Sequence, residues 1–294
     1  MHHASSASST QLPRMALILA VLALLLIGLV MVYSASSVNA LSEGGSAMGG
    51  FVSQVVYAVL GIAAAFVVWQ IIPYHAWVGR FVWVVWGVSM GLLVLTAIMG
   101  STGYGAQRWL ELGPVRFQPS EFVKIALVLV AVRVFFDIRG GTAEARMSVI
   151  RVLLFIVMPL FFLYQTQSDL GTTLICIVGI LAVMWLGGVK PYILITVVVL
   201  GVAFMVFAVF GTGYRSGRMV YLDPWNDGQG GYGTGYNIIR SYYAFAEGGL
   251  FGVGLGNSHE KYQYLFASDS DFIFAVVGEE LGLVGALTVI ILFL

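Results

Sequence analysis

The sequence has little charge and almost no cysteine. Lys, Arg, Asp and Glu make up 10% of its 294 residues, whereas soluble globular domains carry about 25%. Fourteen basic and fourteen acidic residues cancel, so no net field would attract nucleic acid. The single Cys176 lies in an apolar run, which excludes a disulfide framework. With these classes excluded, a hydrophobic content of 60% indicates a polytopic membrane protein.

Long apolar runs divide the chain into about eight segments. A helix needs about 20 apolar residues to cross about 30 Å of hydrocarbon, and a lipid-exposed backbone must satisfy its own hydrogen bonds. Because the runs are continuous rather than alternating, they favour helices over barrel strands. The predicted fold class is an all-α polytopic membrane protein with about eight transmembrane helices. The runs are residues 15–33, 51–72, 78–98, 120–136, 149–164, 170–187, 191–211 and 272–294.

The distribution of basic residues predicts the orientation. Short cytoplasmic loops are enriched in Lys and Arg, which favours a cytoplasmic N-terminus. The loops 34–50 and 165–169 contain neither residue and then face outward. This predicts a cytoplasmic tail over 1–14, one transmembrane domain over 15–294, and an extracytoplasmic loop over 212–271 between helices 7 and 8. The basic residues placed inside are Arg14, Arg80, Arg133, Arg139, Arg146, Arg151 and Lys190.

Polar residues near the fourth and sixth helices allow two interpretations each. Glu121 and Lys124 share one helix face, so they form either an intrahelical ion pair or part of a substrate site. Asp169 either caps the sixth helix, as Asp often does, or contributes to that site. Arg108 and Trp109 are either an interfacial anchor or substrate contacts.

Two carboxylates lie deep in the last predicted helix. Glu279 comes eight residues after Asp271, about 12 Å along the helix at 1.5 Å per residue, and Glu280 follows it. A carboxylate at that depth must face a cavity, pair with a cation or stay protonated. Lys124 is the predicted partner by depth, and a purely structural ion pair is the alternative.

The segment from Asp223 to Glu280 concentrates polar residues in an otherwise apolar chain. The run Asp223-Pro-Trp-Asn-Asp227 precedes a glycine-rich stretch that ends at Gly235-Tyr236. Polar groups gathered between two apolar spans indicate chemistry at a membrane surface. Taken alone, Asp227 is also typical of a turn aspartate next to glycine.

Several motifs, spread over nearly the whole chain, are similar to those of one family. They are Arg108-Trp109, Gln118-Pro-Ser-Glu121 with Lys124, Asp169-Leu-Gly171, Asp223-Pro-Trp225 with Asp227, Gly235-Tyr236, Gly254-Leu-Gly-Asn-Ser258, Asp271-Phe-Ile-Phe-Ala275 and Glu279-Glu280-Leu-Gly282. Together they resemble the SEDS proteins (shape, elongation, division and sporulation). The Leu255-Gly-Asn-Ser258 and Pro224-Trp225 motifs are more similar to the cell-division branch, FtsW, than to the elongation branch, RodA.

The sequence departs from the family pattern at a few positions. Ser168 stands where the family usually has Pro, Asn237 where it has Gln, and Phe266-Ala267 where it has Pro-Glu. The family has ten helices, whereas this sequence ends at Leu294 inside the eighth, so the resemblance implies either a truncated sequence or a shortened variant.

The resemblance implies a bacterial peptidoglycan glycosyltransferase that polymerises lipid II during cell division. It implies a multi-pass protein of the cytoplasmic (inner) membrane at the septum. The implied partners are a class B penicillin-binding protein, which supplies the transpeptidase, other divisome proteins and membrane lipids. A lipid II flippase and a non-catalytic division scaffold are the alternatives.

Glycan extension needs a carboxylate to take a hydroxyl proton and cations to stabilise a leaving diphosphate. The family's catalytic aspartate falls on Asp227, which would be the general base. A divalent cation, Mg²⁺ or Mn²⁺, is an alternative neutralising group, although the sequence shows no dedicated ligand cluster. The candidate substrate-binding residues are Arg108, Trp109, Gln118, Ser120, Glu121, Lys124, Asp169, Arg218, Tyr236, Arg240, Asn257, Ser258, Lys261, Asp271, Glu279 and Glu280.

Overall fold

The protein is described from a computed structural model. It describes residues 5–42, 44–103, 106–112, 115–140, 145–167, 169–210, 220 and 222–294. The chain packs as two compact units: Met1–Phe66 with Thr212–Leu294 form the first, and Val67–Gly211 form the second.

The first unit is built around a long C-terminal helix. Its helices are α1 (Ser5–Ser42), α2 (Gly49–Ile71, which runs on into the second unit), α10 (Tyr236–Gly248) and α11 (Ile273–Phe293). Helix α11 contributes Ala275, Val276 and Val277 to an apolar core. Met31 and Ala35 of α1 pack against these residues, as do Ala244 of α10 and Leu265. The core therefore joins both ends of the chain.

The second unit is a helical bundle organised by α5. Its helices are α3 (Tyr74–Val78), α4 (Phe81–Met99), α5 (Ser120–Arg139), α6 (Ala145–Val152), α7 (Met158–Gln167), α8 (Leu170–Leu186) and α9 (Pro191–Phe210). One π-helical turn, Leu153–Val157, joins α6 to α7. Helix α5 buries Val123 and Leu127 against Leu93, Leu163 and Cys176, which come from α4, α7 and α8.

A short sheet between α4 and α5 adds to the predicted all-α fold. Strands β1 (Ser101–Gly103), β2 (Ala106–Leu112) and β3 (Val115–Phe117) pair antiparallel in the order β1-β2-β3. Strand β2 alternates its side chains, as strands do: Leu110 is buried and the neighbouring Trp109 is exposed. These strands were not among the elements predicted from the sequence.

Five helices in the described part of the chain are long and apolar enough to cross a membrane. They are Gln11–Val38, Gly49–Ile71, Phe81–Met99, Met147–Gln167 and Ile273–Phe293. The predicted runs at 120–136, 170–187 and 191–211 also form helices. Helix α5 carries five charged residues, and α8 has only 17 residues. A count of eight spans and a cytoplasmic N-terminus therefore stay predictions.

Helix α11 breaks at Gly282, where φ is 70° and ψ is −170°. Leu283 N–H donates to the carbonyl oxygen of Gly249 (2.9 Å) and Val284 N–H to that of Leu250 (3.2 Å). The N–H group of Val253 donates to the carbonyl oxygen of Glu279 (2.9 Å), and that of Gly254 donates to the carbonyl oxygen of Glu280 (3.1 Å). A residue with a β-carbon disfavours positive φ. Glycine at position 282 therefore allows the helix to break, so that Leu283 and Val284 bond Gly249 and Leu250 instead of the preceding turn of α11.

We expect Gly252→Ala to destabilise the fold strongly, because its added β-carbon would lie 2.1 Å from the Glu280 carbonyl oxygen. Gly256 is the matched control: its φ is also positive, at 82°, but nothing lies within 4 Å of an added β-carbon. Gly256→Ala should lower the free energy of unfolding by about 1–2 kcal/mol and Gly252→Ala by about 3–5 kcal/mol. Unfolding titrations in detergent measure both, and equal losses would contradict the close approach.

Candidate functional site

Asp227 is held by the backbone of the glycine-rich stretch that follows it. Its Oδ1 accepts hydrogen bonds from the N–H groups of Gln229 and Gly231, both at 2.9 Å. Its Oδ2 accepts from the N–H groups of Gly233 (2.8 Å) and Gly235 (3.1 Å). Four N–H donors fill the roughly four lone-pair sites of a carboxylate. We call residues 227–235 the Asp227 loop.

The loop's glycines make this wrapping sterically feasible. Gly228, Gly230 and Gly231 have positive φ values of 81°, 65° and 87°, which glycine adopts without the penalty of a β-carbon. Gly235 approaches Pro224 so closely that a β-carbon would lie 1.9 Å from the Pro224 carbonyl oxygen. The glycines therefore allow the backbone to surround the Asp227 carboxylate with N–H donors.

The hydrogen bonds strongly stabilise the ionised form of Asp227. They come from Gly231, Gln229, Gly235 and Gly233 and lower the pKa of Asp227 from 3.8 to about 2. The side chain is therefore a fixed negative charge at neutral pH.

The lowered pKa predicts acid opening of the Asp227 loop. A depressed pKa means that the stabilisation is complete above the ordinary value of 3.8 and is lost as the pH falls through about 2. Pepsin should therefore cut within 227–235 faster at pH 2 than at pH 4. In Asp227→Asn the loop should be cut at similar rates at both pH values. Equal cleavage of the unsubstituted protein at pH 2 and pH 4 would contradict the assignment.

Asp223 has a different role from Asp227. Its carbonyl oxygen accepts a hydrogen bond from Asn226 N–H at 3.2 Å, which closes a turn around Pro224. Its side chain is exposed. Asp223 is therefore a turn residue.

An arginine surrounded by tyrosines lies on α10, directly after the Asp227 loop. Arg240 Nε donates to the Tyr236 hydroxyl at 3.1 Å and Nη1 donates to Glu260 Oε1 at 3.3 Å. The guanidinium carbon lies 5.2, 5.9 and 5.0 Å from the ring centroids of Tyr236, Tyr243 and Tyr264. Burial raises the pKa of Glu260, while Arg240 opposes that rise. The sequence gives no signal for Glu260, because a single charge in a long loop does not indicate burial.

Lys261 and Glu280 form a buried ion pair. Lys261 Nζ lies 2.7 Å from Glu280 Oε1, and the two side chains are 2% and 0% exposed. Lys261 Nζ also donates to the Gly256 carbonyl oxygen (2.7 Å) and to the Ser34 hydroxyl oxygen (2.9 Å). Ser34 in turn donates to the carboxylate of Glu280. The network thus ties α1 and the 256–261 loop to α11.

Glu279, next to Glu280 on α11, accepts hydrogen bonds from the same 256–261 loop. Its Oε2 accepts from the Ser258 hydroxyl at 2.6 Å. Its Oε1 accepts from the backbone N–H groups of His259 and Glu260. Ser258 itself is fully buried. All oxygens of the two neighbouring carboxylates therefore have protein partners, which indicates a structural role.

Lys124 is not the partner of Glu279 or Glu280, so that prediction is wrong. Lys124 Nζ bonds Glu121 instead, 2.9 Å from Oε1 and 2.8 Å from Oε2. The predicted intrahelical pair is therefore present. The partner of Glu280 is Lys261. Depth along a helix could not identify it, because Lys261 lies in the 212–271 segment, which was predicted to be outside the membrane.

The remaining candidates are spread over both units. Asp169 caps α8 by accepting from Thr172 N–H at 3.0 Å, which confirms the capping interpretation. Gln118 donates to the Ser120 hydroxyl oxygen at 3.0 Å, just before α5. Asn257 and Asp271 are exposed.

Two basic candidates lie outside the described geometry. Arg218 is outside the described residues, and only the backbone of Arg108 is described, in β2. In the described part of the chain, no group of three or more His, Cys, Asp or Glu side chains is arranged to hold a metal ion. The involvement of Mg²⁺ or Mn²⁺ stays a prediction.

The helical fold, with five apolar helices long enough to cross a membrane among the described residues, defines the class of a polytopic membrane protein. A family model described as "Cell cycle protein", for FtsW, RodA and SpoVE, matches residues 15–294. The chain belongs to this family, which confirms the predicted SEDS resemblance.

Two curated relatives and one solved structure illustrate the similarity. "Probable peptidoglycan glycosyltransferase FtsW" of Pseudomonas fluorescens (strain SBW25) is 34% identical over 275 residues, covering 92% of this chain and 66% of that relative. "Stage V sporulation protein E" of Bacillus subtilis (strain 168) is 32% identical over 289 residues, covering 96% of this chain and 76% of that relative. A chain from a peptidoglycan synthase complex described as coordinating polymerization and crosslinking has the same fold, with a TM-score of 0.66. It is 23% identical and covers 94% of this chain and 74% of that chain.

Proposed function

We propose that the protein is a peptidoglycan glycosyltransferase that polymerises lipid II into glycan strands during bacterial cell division. The observation that carries the proposal is the ionised carboxylate of Asp227, held by four backbone N–H groups in the segment between α9 and α10. The name of the Pseudomonas fluorescens relative, which is 34% identical, supports the reaction class.

The reaction needs a proton acceptor and a stabilised leaving group. A sugar hydroxyl attacks the anomeric carbon of lipid II, the bond from that carbon to the diphosphate oxygen breaks, and the diphosphate keeps the electron pair. The hydroxyl proton passes to Asp227. Arg240 is the described cation nearest in sequence to the Asp227 loop, and its side chain is 26% exposed. It can therefore contact the diphosphate charge.

The described conformation makes Asp227 a weak base. A general base works best with a pKa near the operating pH, whereas its four N–H bonds lower the pKa of Asp227 to about 2. Substrate binding must therefore remove at least one of these donors from the carboxylate. The glycines at 228, 230 and 231 permit such a backbone change, because glycine adopts either sign of φ.

The proposed setting is the outer face of the cytoplasmic membrane at the septum, together with a class B penicillin-binding protein. The solved complex of similar fold, which couples polymerization with crosslinking, supports a transpeptidase partner. Other divisome proteins and membrane lipids complete the proposed assembly.

The proposal is tested with the full-length protein and its transpeptidase in proteoliposomes that carry fluorescent lipid II. Gel electrophoresis reports glycan strands, and a membrane-impermeant quencher reports movement of lipid II between leaflets. We expect glycan strands. Transfer between leaflets without strands would favour a flippase, and partner binding with neither activity would favour a scaffold.

A further inference from the structure

The backbone links the position of Arg240 to that of Asp227. Helix α10 begins at the end of the Asp227 loop: Gly235 is its N-cap residue, and Tyr236 N–H donates to the carbonyl oxygen of Gly233 at 3.2 Å. Gly233 and Gly235 also donate to Asp227 Oδ2. The same two glycines therefore bind the carboxylate and begin the helix that carries Arg240.

Two polar groups hold the guanidinium of Arg240. The Tyr236 hydroxyl oxygen accepts from Nε, and Glu260 Oε1 accepts from Nη1. A guanidinium has five N–H donors, so these two contacts leave three donors for a further acceptor. A bidentate contact with a phosphate group needs two parallel N–H donors. Arg240 can therefore keep both contacts while it binds a diphosphate.

Glu260 is itself fixed by α11. Its side chain is buried, and its backbone N–H donates to Glu279 Oε1 at 3.3 Å. Its carbonyl oxygen accepts from Leu265 N–H at 2.8 Å, and Leu265 lies in the same apolar core as Val276 of α11. Helix α11 thus determines where Glu260 lies, and Glu260 in turn restrains the guanidinium of Arg240.

The contact between Arg240 and Glu260 differs from the buried pair of Lys261 and Glu280. Each carboxylate oxygen of Glu279 and Glu280 accepts a hydrogen bond from the protein. Glu260 Oε2, in contrast, is buried and accepts none from the described residues. A buried acceptor without a partner is destabilising, so stability alone does not account for an acid at this position. Proteins accept such departures chiefly at functional sites.

We propose that Glu260 is a positioning residue, which holds the guanidinium of Arg240 where it contacts the leaving diphosphate. The inference rests on the proposed function, from which it takes the contact between Arg240 and the diphosphate. A free arginine side chain loses rotamer freedom when it binds a ligand. The contacts with Glu260 and Tyr236 restrict that freedom before the substrate arrives, and such preorganisation favours binding. Glu260 acts through Arg240 and does not touch the substrate.

The rate of glycan polymerisation in single variants tests this role, with the full-length protein, its transpeptidase and fluorescent lipid II. Glu260→Met removes the acceptor of Arg240 at similar side-chain size. We expect kcat to fall by about 10- to 100-fold, because a misplaced group contributes far less to a reaction. KM should change little, since negative charge on the diphosphate grows in the transition state. Glu247→Met is the matched control: Glu247 is an exposed acid of the same helix, and kcat should stay unchanged.

Double variants separate positioning from a structural role. Arg240→Met alone should lower kcat by about 10²- to 10³-fold. Adding Glu260→Met to it should cause no further loss, because Glu260 acts only through Arg240. Glu260→Asp keeps the buried charge but draws the carboxylate back by one methylene group. It should also lower kcat, again with no effect in the Arg240→Met background, and it provides the test if Glu260→Met does not fold.

Three results would contradict the proposal. Losses that add in the double variants would show that Glu260 acts independently of Arg240. A normal kcat in Glu260→Met or Glu260→Asp, with strands formed by the unsubstituted protein, would overturn this inference and leave the proposed function intact. No strands from the unsubstituted protein would overturn both. Rates are normalised to the amount of folded protein, measured by gel filtration.

Discussion

Asp227→Asn is expected to lower the rate of glycan polymerisation by about 10²- to 10⁴-fold, the usual loss when a general base is removed. The amide keeps one acceptor oxygen but cannot accept a proton at neutral pH. Polymer from lipid II is the measurement. Asp223→Asn is the matched control, and it should be much milder because only the backbone of Asp223 takes part in the turn.

The same substitution also removes an acceptor from the loop. The N–H groups of Gly233 and Gly235 bond Oδ2, which Asn replaces with a donor. Gly231→Pro separates the two effects, because it removes a loop donor and disfavours the positive φ while keeping the carboxylate. Asp227→Asn should be slower than Gly231→Pro by at least about tenfold. Equal rates would show that Asp227 only organises the loop.

Breaking the buried ion pair between Lys261 and Glu280 should cause a large loss of stability. Lys261→Met or Glu280→Gln alone leaves a buried group without its partner, which costs about 3–5 kcal/mol. The double variant should be less destabilised than either single variant, because no uncompensated charge remains. Unfolding titrations of the detergent-solubilised protein measure the free energies.

Lys124→Met is the matched control for this prediction. Its pair with Glu121 is partly exposed, at 26% and 53%, and such pairs contribute about 0–1 kcal/mol. The Lys261 and Glu280 variants that still fold should polymerise at nearly the normal specific rate. Additive losses in the double variant, or stable variants with low specific activity, would instead indicate a role in substrate binding.

Features encoded locally could be predicted from the sequence. Apolar runs gave the helices, the three-residue spacing gave the Glu121–Lys124 pair, and an Asp before an apolar run gave the cap of α8. The family motif identified Asp227. No local sequence pattern predicted its four N–H donors or its lowered pKa.

Features that depend on distant segments could not be predicted. The partners of Glu280 come from Ser34 and Lys261, 246 and 19 residues away. In the sequence, Gly282 is indistinguishable from an ordinary glycine within a helix. The break there depends on the carbonyl oxygens of residues 249 and 250, which accept hydrogen bonds from α11. The Asp223–Glu280 segment was identified as polar, but its composition gave no sign that residues 249–254 hydrogen-bond to the backbone of α11.

The central claim is glycosyl transfer at the Asp227 loop, and a polymerisation assay with excess lipid II tests it most directly. The full-length protein with its transpeptidase is mixed with radiolabelled lipid II, and released undecaprenyl diphosphate is measured together with strand length. The account predicts that one undecaprenyl diphosphate is released for each glycosidic bond formed and that both bond formation and release are nearly abolished by Asp227→Asn. Strand formation at the normal rate by Asp227→Asn, or no diphosphate release by the unsubstituted protein, would contradict it.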